Sequence, residues 1–342
     1  MSGGVDSSVA AFLLAQDGYA VTGATMNIGI TANDQRRHCG SSDAMAEARA
    51  VCERLGIEHR VFDFSRPMAE LVIGKFVREY LRGRTPNPCI DCNRYLKFGI
   101  LLAKARAIDC EFLATGHYAR IVQQEGQARL CRPRDRRKDQ TYFLYRIAAA
   151  DLGALLFPLS ELCKAEVRDI ARKAHLPVAE KTESQDICFA PRTNCGEFFP
   201  AAGGGEQGEI VDSQGRVLGR HKGIARYTIG QRSGLGISAP APLYVVRIEP
   251  EANRIVVGSR NELRAHGLIA ADLNLFCAEL PRQGEAKIRY RKEAIPCSMS
   301  REGDRLHVMF HEAQEAVTPG QAVVLYAGEE VLGGAVIEEA IA

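Results

Sequence analysis

The stretch that decides the fold lies at the start of the chain. Residues 2–8 read SGGVDSS, and residues 9–16 continue with VAAFLLAQ. Adjacent glycines let a backbone approach a phosphate closely, serine hydroxyls add donors, and the following helix directs its N-terminal N–H groups at the anion. Asp6 suits such a loop if Mg²⁺ bridges its carboxylate to the phosphates. The stretch predicts a pyrophosphate loop, although an ordinary capped helix start uses the same residue types.

Two familiar phosphate loops are excluded by this stretch. No Gly-Lys-Ser/Thr follows, as a Walker A loop requires, and Gly-x-Gly-x-x-Gly is absent, as a dinucleotide loop requires.

Elements downstream of the loop alternate in type. Strands are predicted over 19–27, 57–64 and 111–115, and helices over 7–16, 42–55 and 68–81, with a further helix ending near residue 107. The helix over 42–55 has apolar residues at 44, 48, 51 and 55, and we expect Ser42 or Asp43 to cap it and Gly56 to end it. Parallel strands joined by crossover helices follow from this order, so residues 1–198 are predicted to form a doubly wound α/β domain. Because a phosphate loop normally follows a strand, we expect the first strand of the sheet to be missing from this sequence.

The second half of the chain has a different pattern. A glycine-rich run at 201–209 reads as a linker. Short strands with turn signals follow, including a hairpin in LYVVRIEPEANRIVVG. These predict a β-rich domain over 206–262 and a β-barrel domain over 265–342.

Composition excludes several classes of protein. The chain has 342 residues, 46% hydrophobic and 25% charged, which rules out disordered, collagen-like and coiled-coil proteins. Neither a membrane-spanning run nor a secretory signal is recognisable. Eleven cysteines without an export signal predict reduced thiols and a cytoplasmic location. A net charge of +2 means that any nucleic-acid surface is local.

Cysteines form the second signal. The loop TPNPCIDCN, residues 85–93, is predicted to place Cys92 at or near a helix N-terminus, where a thiol pKa falls. Its Cys-x-x-Cys pair suits a redox dithiol, half of a zinc site, or two ligands of an iron–sulfur cluster. Cys188 in SQDICF is a candidate functional residue only if the fold brings it close to Cys92. Cys195 is a rival partner for Cys92.

Two basic runs suggest phosphate contacts. Residues 132–138 carry five positive side chains and one negative, and Arg289-Tyr290-Arg291-Lys292 adds three positives on a predicted strand. A solvated charged face is the alternative for either run.

These motifs together resemble the bacterial tRNA-specific 2-thiouridylases. In chain order they are SGGVDS, TPNP-x-I-x-CN, ATGHYAR, KDQTYFLY, SQDICF, YTIGQR, Arg289-Tyr290 and TPGQ. SGGVDS alone marks only the wider ATP-pyrophosphatase (PP-loop) group. The resemblance spans nearly the whole chain and implies an adenine nucleotide alpha hydrolase-like fold followed by two small β-rich domains.

The resemblance implies ATP-dependent 2-thiolation of the wobble uridine of tRNA. ATP with Mg²⁺ adenylates the C2 oxygen, and sulfur then replaces it. The residue matching Cys188 receives sulfur as a persulfide from a donor protein, and the residue matching Cys92 attacks that persulfide to free sulfide or otherwise assists, leaving a Cys92–Cys188 disulfide. The expected partners are tRNA and the sulfur donor, with no membrane and no DNA.

Site residues carry over position by position. Pyrophosphate contacts match Ser2, Gly3, Gly4, Val5, Asp6 and Ser7, and adenosine contacts match Met26 and Gly116. Asn87, Pro88 and Cys89 match positions beside the target base. Further tRNA contacts match His117, Lys138, Asp139, Gln140, Arg289, Tyr290 and Gln321.

Cys89 departs from the family pattern, in which many members carry a catalytic Asp. With Cys92 and Cys188 it is able to complete a three-cysteine set for a [4Fe–4S] cluster that binds sulfide on its open iron. We therefore hypothesise cluster dependence.

Two other functions fit parts of the sequence. A PP-loop enzyme that adenylates a small molecule to form an amide or C–N bond shares the loop but needs no paired cysteines. An RNA-binding module with a decayed nucleotide site is the non-enzymatic alternative, which the intact Gly3, Gly4 and Asp6 oppose.

Overall fold

The computed structural model describes residues 1–29, 41–182, 187–189 and 205–342. The chain divides into two compact units. The α/β unit comprises Met1–Val72, Cys89–Phe189 and Glu329–Val331, and the β unit comprises Ile73–Pro88, Ala190–Gly328 and Leu332–Ala342. Within the described part of the chain, none of the helices has the length and apolarity that crossing a membrane requires.

The first half of the chain alternates helices with short strands, as the sequence predicts. In chain order the elements are α1 (Val5–Gln16), β1 (Thr22–Asn27), α2 (Ser42–Leu55), β2 (Glu58–Asp63), α3 (Ser65–Pro67), a π-helical stretch (Met68–Ile73), α4 (Gly74–Leu81), α5 (Pro88–Asp91), a second π-helical stretch (Cys92–Leu101), α6 (Leu102–Arg106), β3 (Leu113–Ala114), β4 (Arg120–Gln124), β5 (Gln127–Cys131), β6 (Leu155–Leu156) and α7 (Lys164–Lys173).

Strand pairing in the α/β unit is parallel between alternating elements, which confirms the predicted class. β1 pairs with β2 in parallel, Thr22 opposite Glu58, and β3 pairs with β6 in parallel, Leu113 opposite Leu155. The described parallel strands form two separate two-stranded sheets, while β4 and β5 pair with each other in antiparallel fashion and continue, through Cys131 opposite Glu330, into a larger sheet.

Helix α1 anchors the core of this unit. Val5, Val9 and Ala10 are buried on α1 and pack with Tyr118 and with the apolar face of α7. The helix begins two residues before the predicted Ser7, so Asp6 lies in its first turn. The end of the pyrophosphate loop is therefore rigidly attached to buried structure.

Helix α2 confirms the predicted amphipathic pattern and corrects its cap. Ala44, Val51 and Cys52 are buried, and the helix ends at Gly56 in the left-handed conformation. The side chain of Ser41, not Ser42 or Asp43, accepts the capping hydrogen bond, from the N–H of Ala44. An N-cap side chain reaches the amide three residues on, and this geometry selects Ser41.

The β unit contains the two predicted β-rich modules. Its strands are β7 (Gly208–Asp212), β8 (Val217–His221), β9 (Tyr244–Glu249), β10 (Arg254–Gly258), β11 (Arg264–Leu275), β12 (Gln283–Lys287), β13 (Ile295–Glu302), β14 (Arg305–Glu315), β15 (Ala322–Ala327) and β16 (Glu330–Ile341). The first four form a sheet in the order β8-β7-β10-β9, with the predicted hairpin as β9 and β10.

A closed barrel forms the end of the β unit, as predicted. Six strands follow the order β11-β14-β13-β12-β15-β16, and β11 also pairs with β16. Alternating residues such as Leu268, Val308 and Leu325 are buried inside it. One detail differs from the sequence prediction: β12 ends at Lys287, so Arg289 and Tyr290 follow the strand and do not lie on it.

The corrected cap of α2 yields a stability prediction. Replacing Ser41 with Ala removes the acceptor for the Ala44 N–H and should lower the free energy of unfolding by about 1 kcal/mol. Urea unfolding measures the change. Ser42→Ala, at the exposed first helical residue, is the matched control and should change the free energy of unfolding by no more than a few tenths of a kcal/mol. Equal losses in the two variants would contradict the assignment of the cap.

Candidate active site

The predicted pyrophosphate loop is closed by hydrogen bonds between its own residues. The Ser2 N–H donates to the Ser7 hydroxyl at 3.2 Å, and the two hydroxyl oxygens lie 3.1 Å apart. The Ser8 hydroxyl donates to the Gly4 carbonyl at 2.9 Å. Serine hydroxyls thus hold the loop in shape immediately before α1, whose first N–H groups lack partners within the helix.

Gly116 lies directly against the first turn of α1. A Cβ at this position would lie 2.6 Å from the carbonyl carbon of Asp6 and 2.7 Å from the Ser7 nitrogen. Only glycine allows this approach, because backbone atoms on the opposite side are unable to move away as a side chain would. Two segments that the sequence assigned to ATP, more than a hundred residues apart, are therefore in contact.

Asp6 is held by two partners from other elements. Its Oδ1 accepts from the Lys164 ammonium at 2.6 Å and from the Tyr118 hydroxyl at 3.1 Å. Lys164 is the first residue of α7, and its side chain is 13% exposed. A positive charge therefore lies at the loop although the loop contains no lysine.

A second lysine reaches the same loop. The Lys181 ammonium donates to the Gly3 carbonyl at 2.8 Å and forms an ion pair with Glu47 of α2. Sequence reasoning missed both lysines. The one available signal was indirect: a phosphate loop without a Walker lysine takes its cation from elsewhere, but nothing in the sequence says which lysine supplies it.

Met26 lies near the carboxyl end of β1. It is buried and pairs with Phe62 of β2. Its neighbour Thr25 donates from its hydroxyl to the Met1 carbonyl at 2.8 Å, so the residue preceding the loop is fixed to β1. Nucleotides in open α/β folds bind beyond the carboxyl ends of strands, which agrees with the adenosine role expected for Met26.

The helix that carries the Cys-x-x-Cys pair begins earlier than predicted. Pro88 is the first residue of α5, a position that suits proline, so Cys89 and not Cys92 lies in its first turn. Cys92 begins the π-helical stretch one turn later. Cys92 therefore lies near the helix N-terminus, as predicted, but one turn inside it and not at the terminus itself. Burial raises the pKa of the Cys89 thiol, opposed by the charge of Lys97.

The two other cysteines expected to act also belong to the α/β unit. Cys92 and Cys188 are half-buried, and Phe189 beside Cys188 is buried. Cys195 and residues 184–186 lie outside the described residues. In the part of the chain that the structure describes, no three His, Cys, Asp or Glu side chains are grouped so as to hold a metal ion. The hypothesised cluster set of Cys89, Cys92 and Cys188 does not fit this arrangement.

Two of the expected tRNA contacts also organise the loop that carries them. Asp139 is buried and accepts from the Thr141 N–H at 2.9 Å and from its hydroxyl at 2.6 Å. The Gln140 side chain accepts from the Tyr118 N–H at 2.9 Å. Tyr118 in turn reaches Asp6, so this loop and the pyrophosphate loop share one hydrogen-bonded connection.

The basic run 132–138 is partly neutralised. Arg134 lies 3.4 Å from Glu166, and Arg136 forms an ion pair with Glu329. Arg137 is exposed and Lys138, the expected tRNA contact, is half-buried. The net positive surface is therefore smaller than the sequence suggests.

His117 lies in an aromatic environment. Its ring centroid is 5.9 Å from Phe98 and 6.2 Å from Phe157, and its Nδ1 lies 2.8 Å from the Thr115 hydroxyl. Burial holds the pKa of His117 well below 6.5, and the charge of Lys97 lowers it further. His117 is thus neutral at physiological pH and suits hydrogen bonding or stacking with RNA, not ion pairing with a phosphate.

The remaining expected contacts lie in the β unit. Gln321 donates from Nε2 to the Thr85 carbonyl at 2.7 Å, and Arg289 donates to the Ala316 carbonyl at 2.7 Å. Tyr290 lies under the Lys287 ammonium, 5.6 Å from the ring centroid. Asn87 is half-buried and Pro88 is buried.

Three family models match the chain in succession. The model described as tRNA methyl transferase HUP domain matches residues 1–192. The tRNA methyl transferase PRC-barrel domain matches residues 197–259, and the aminomethyltransferase beta-barrel domain matches residues 265–337. The order agrees with the α/β fold and the two β-rich modules.

Curated relatives match over nearly their whole length. The tRNA-specific 2-thiouridylase MnmA 1 of Syntrophus aciditrophicus (strain SB) is 53% identical, covering 100% of this chain and 92% of the relative. The tRNA-specific 2-thiouridylase MnmA of Carboxydothermus hydrogenoformans is 48% identical, covering 99% and 96%. That of Geobacter metallireducens is 46% identical, covering 100% and 96%. The names of these relatives specify thiolation, whereas the descriptions of the first two family models mention methyl transfer.

The burial of His117 yields a prediction about pH. Its pKa is lowered on folding, so between that value and 6.5 only the unfolded chain binds the proton, and stability falls as pH drops below about 6.5. His117→Gln should reduce this slope by no more than about 1.4 kcal/mol per pH unit, the limit for one proton. Urea unfolding at pH 7, 6 and 5 measures it.

Two other histidines contribute to the same slope. Burial also lowers the pKa values of His59 and His221, so part of the pH dependence of stability should remain in His117→Gln. If His117→Gln retained the full wild-type slope, His117 would be protonated in the folded protein.

Proposed function

Because the chain belongs to the family of tRNA-specific 2-thiouridylases, we propose that it replaces the C2 oxygen of the wobble uridine of tRNA by sulfur, at the expense of ATP. The observation that carries this proposal is the contact between the pyrophosphate loop and Gly116 in a chain that matches thiouridylases over its full length. In this proposal the domain of residues 1–198 binds ATP and activates the uridine. The domains of residues 206–262 and 265–342 contribute contacts to the tRNA. We also propose a cytoplasmic location, where tRNA and reduced thiols occur together.

The first step activates a poor leaving group. The C2 oxygen attacks the α-phosphorus of ATP, pyrophosphate leaves, and AMP becomes the group that sulfur later displaces. Ser2, Ser7 and the N-terminal N–H groups of α1 donate to the phosphate oxygens as charge develops on them. Met26 and Gly116 border the adenosine, and the missing side chain of Gly116 lets its loop lie against the backbone of Asp6 and Ser7.

Asp6 fits a magnesium site at this loop. A Mg²⁺ ion commonly uses one carboxylate together with phosphate oxygens, and Asp6 is the carboxylate that the loop supplies. When bound, the ion neutralises charge on the phosphates. Lys164 and Tyr118 orient the carboxylate, since both bind its Oδ1.

Lys164 and Lys181 act as the cations of the pyrophosphate site. Both ammonium groups already bind atoms of the loop, Lys164 at Asp6 and Lys181 at the Gly3 carbonyl. Side-chain motion about these anchors is enough to bring each charge to a phosphate oxygen, because lysine is long and rotates freely. They supply the charge that a Walker lysine supplies in other phosphate loops.

Sulfur enters through the cysteines. A donor protein transfers a sulfur atom to Cys188 as a persulfide. The Cys92 thiolate attacks the Cys188 Sγ, forms the Cys92–Cys188 disulfide and releases hydrosulfide, which attacks C2 and expels AMP. A dithiol reductant then restores both thiols. No step is assigned to a cluster, and the raised pKa of Cys89 keeps its thiol protonated beside the base position.

Cysteine substitution tests the sulfur route. Cys92→Ser and Cys188→Ser should each abolish 2-thiouridine, with at least a hundredfold loss on a persulfide donor, while Mg·ATP binds as in the wild type. Nucleoside analysis of tRNA and calorimetric titration of ATP measure the two effects. Cys110→Ser, a half-buried thiol outside the site, is the matched control. Full 2-thiouridine formation by Cys188→Ser would contradict the persulfide route, and absence of 2-thiouridine from the wild-type reaction would favour the small-molecule ligase.

Lysine substitution tests the pyrophosphate site. Lys181→Met removes a charge-assisted hydrogen bond and should raise the Kd for Mg·ATP about ten- to hundredfold, and Lys164→Met should do the same. Calorimetry gives the Kd. Lys173→Met, an exposed residue at the far end of α7, serves as the control. Unchanged Kd values in folded Lys164 and Lys181 variants would remove both residues from the site.

A further inference from the structure

The segment that follows α7 folds back along that helix. The chain reverses at His175, whose φ of +51° lies in the left-handed region. Leu176 and Val178 come next and are both buried, and Leu176 packs in the same apolar cluster as Val9 of α1. This return segment, residues 174–181, is therefore firmly attached to the core of the α/β unit.

Arg168, a half-buried residue of α7, holds the end of the return segment at two points. Its Nη1 donates to the Ala179 carbonyl and its Nη2 donates to the Lys181 carbonyl, each at 3.2 Å. The planar guanidinium presents its donors in a rigid fork, so it binds two nearby carbonyls at once in a way that a single ammonium group does not. The backbone of Lys181 is thereby fixed relative to α7.

The side chain that leaves this fixed point reaches the pyrophosphate loop. The Lys181 ammonium donates to the Gly3 carbonyl at 2.8 Å and pairs with Glu47, and the side chain is 17% exposed. Ordering a long lysine side chain costs conformational entropy. A backbone that is already held in place lowers the remaining cost of bringing the ammonium to the loop.

Helix α7 therefore contributes to the loop in two ways. Lys164 binds Asp6 directly from the first position of the helix. Arg168 lies four residues later, and residues four apart share one face of a helix. The same face of α7 thus carries one lysine that reaches the loop and one arginine that holds the backbone of the other lysine.

We propose that Arg168 is a positioning residue for the pyrophosphate site. It acts through Lys181, and it sets the affinity for the phosphates of Mg·ATP without contacting the nucleotide itself. The inference rests on the proposed function, in which Lys181 is a cation of this site.

A double-mutant cycle on the full chain tests this role, with the Kd for Mg·ATP measured by calorimetry. Arg168→Gln removes the two-point clamp and should raise the Kd about tenfold. Lys181→Met should raise it at least as much. The double variant should bind no more weakly than Lys181→Met alone, because Arg168 has no effect on the phosphates once the lysine is gone.

Two further variants separate the clamp from simple charge. Arg168→Lys keeps the charge but loses the fork, so it should regain only part of the affinity. It also carries the cycle if Arg168→Gln does not fold, which urea unfolding shows. Arg172→Gln is the matched control, because this exposed arginine one turn later binds only the carboxylates of Asp169 and Glu180. It should change the Kd by less than about twofold.

Three results would overturn the inference. They are an unchanged Kd in folded Arg168→Gln, full recovery of affinity in Arg168→Lys, or a loss in the double variant equal to the product of the two single losses. Each of these would leave the proposed function standing. Failure of the wild-type protein to thiolate tRNA would instead overturn the proposed function.

Discussion

The close approach of Gly116 to the first turn of α1 is the contact on which the candidate site depends. It brings the loop after β3 against the pyrophosphate loop without an intervening side chain. The same loop continues to Tyr118. The hydroxyl of Tyr118 donates to Asp6, and its backbone N–H donates to the side chain of Gln140. The residues proposed to bind phosphate, adenosine and tRNA are thereby connected by one continuous set of backbone and hydrogen-bond contacts.

Charge at the site is assembled from remote segments. Lys164 enters from the start of α7 and Lys181 from beyond its end, and each is already paired with a carboxylate. Such pairing keeps two half-buried ammonium groups stable and close to the loop. For Cys89, burial outweighs the effect of helix position. A place in the first helical turn alone would favour a reactive thiolate, but burial raises the pKa of this thiol and keeps it protonated.

Local sequence signals predicted much of this molecule. The loop before α1, the apolar stripe of α2, its Gly56 terminus and the closed barrel follow from short-range pattern and turn chemistry. Features that depend on tertiary contacts could not be predicted in this way. Lys164 and Lys181 have no local signature, and the start of α5 at Pro88 was hidden because proline reads equally as a loop residue and as a first helical residue.

The central claim is that ATP activates the C2 oxygen of the wobble uridine at the pyrophosphate loop. The most direct measurement follows that oxygen: tRNA labelled with ¹⁸O at C2 is thiolated in a single turnover, and the AMP and pyrophosphate are analysed by mass spectrometry. The account predicts one ¹⁸O atom in AMP for each 2-thiouridine formed. Label released into water, or found in pyrophosphate, with unlabelled AMP would contradict it.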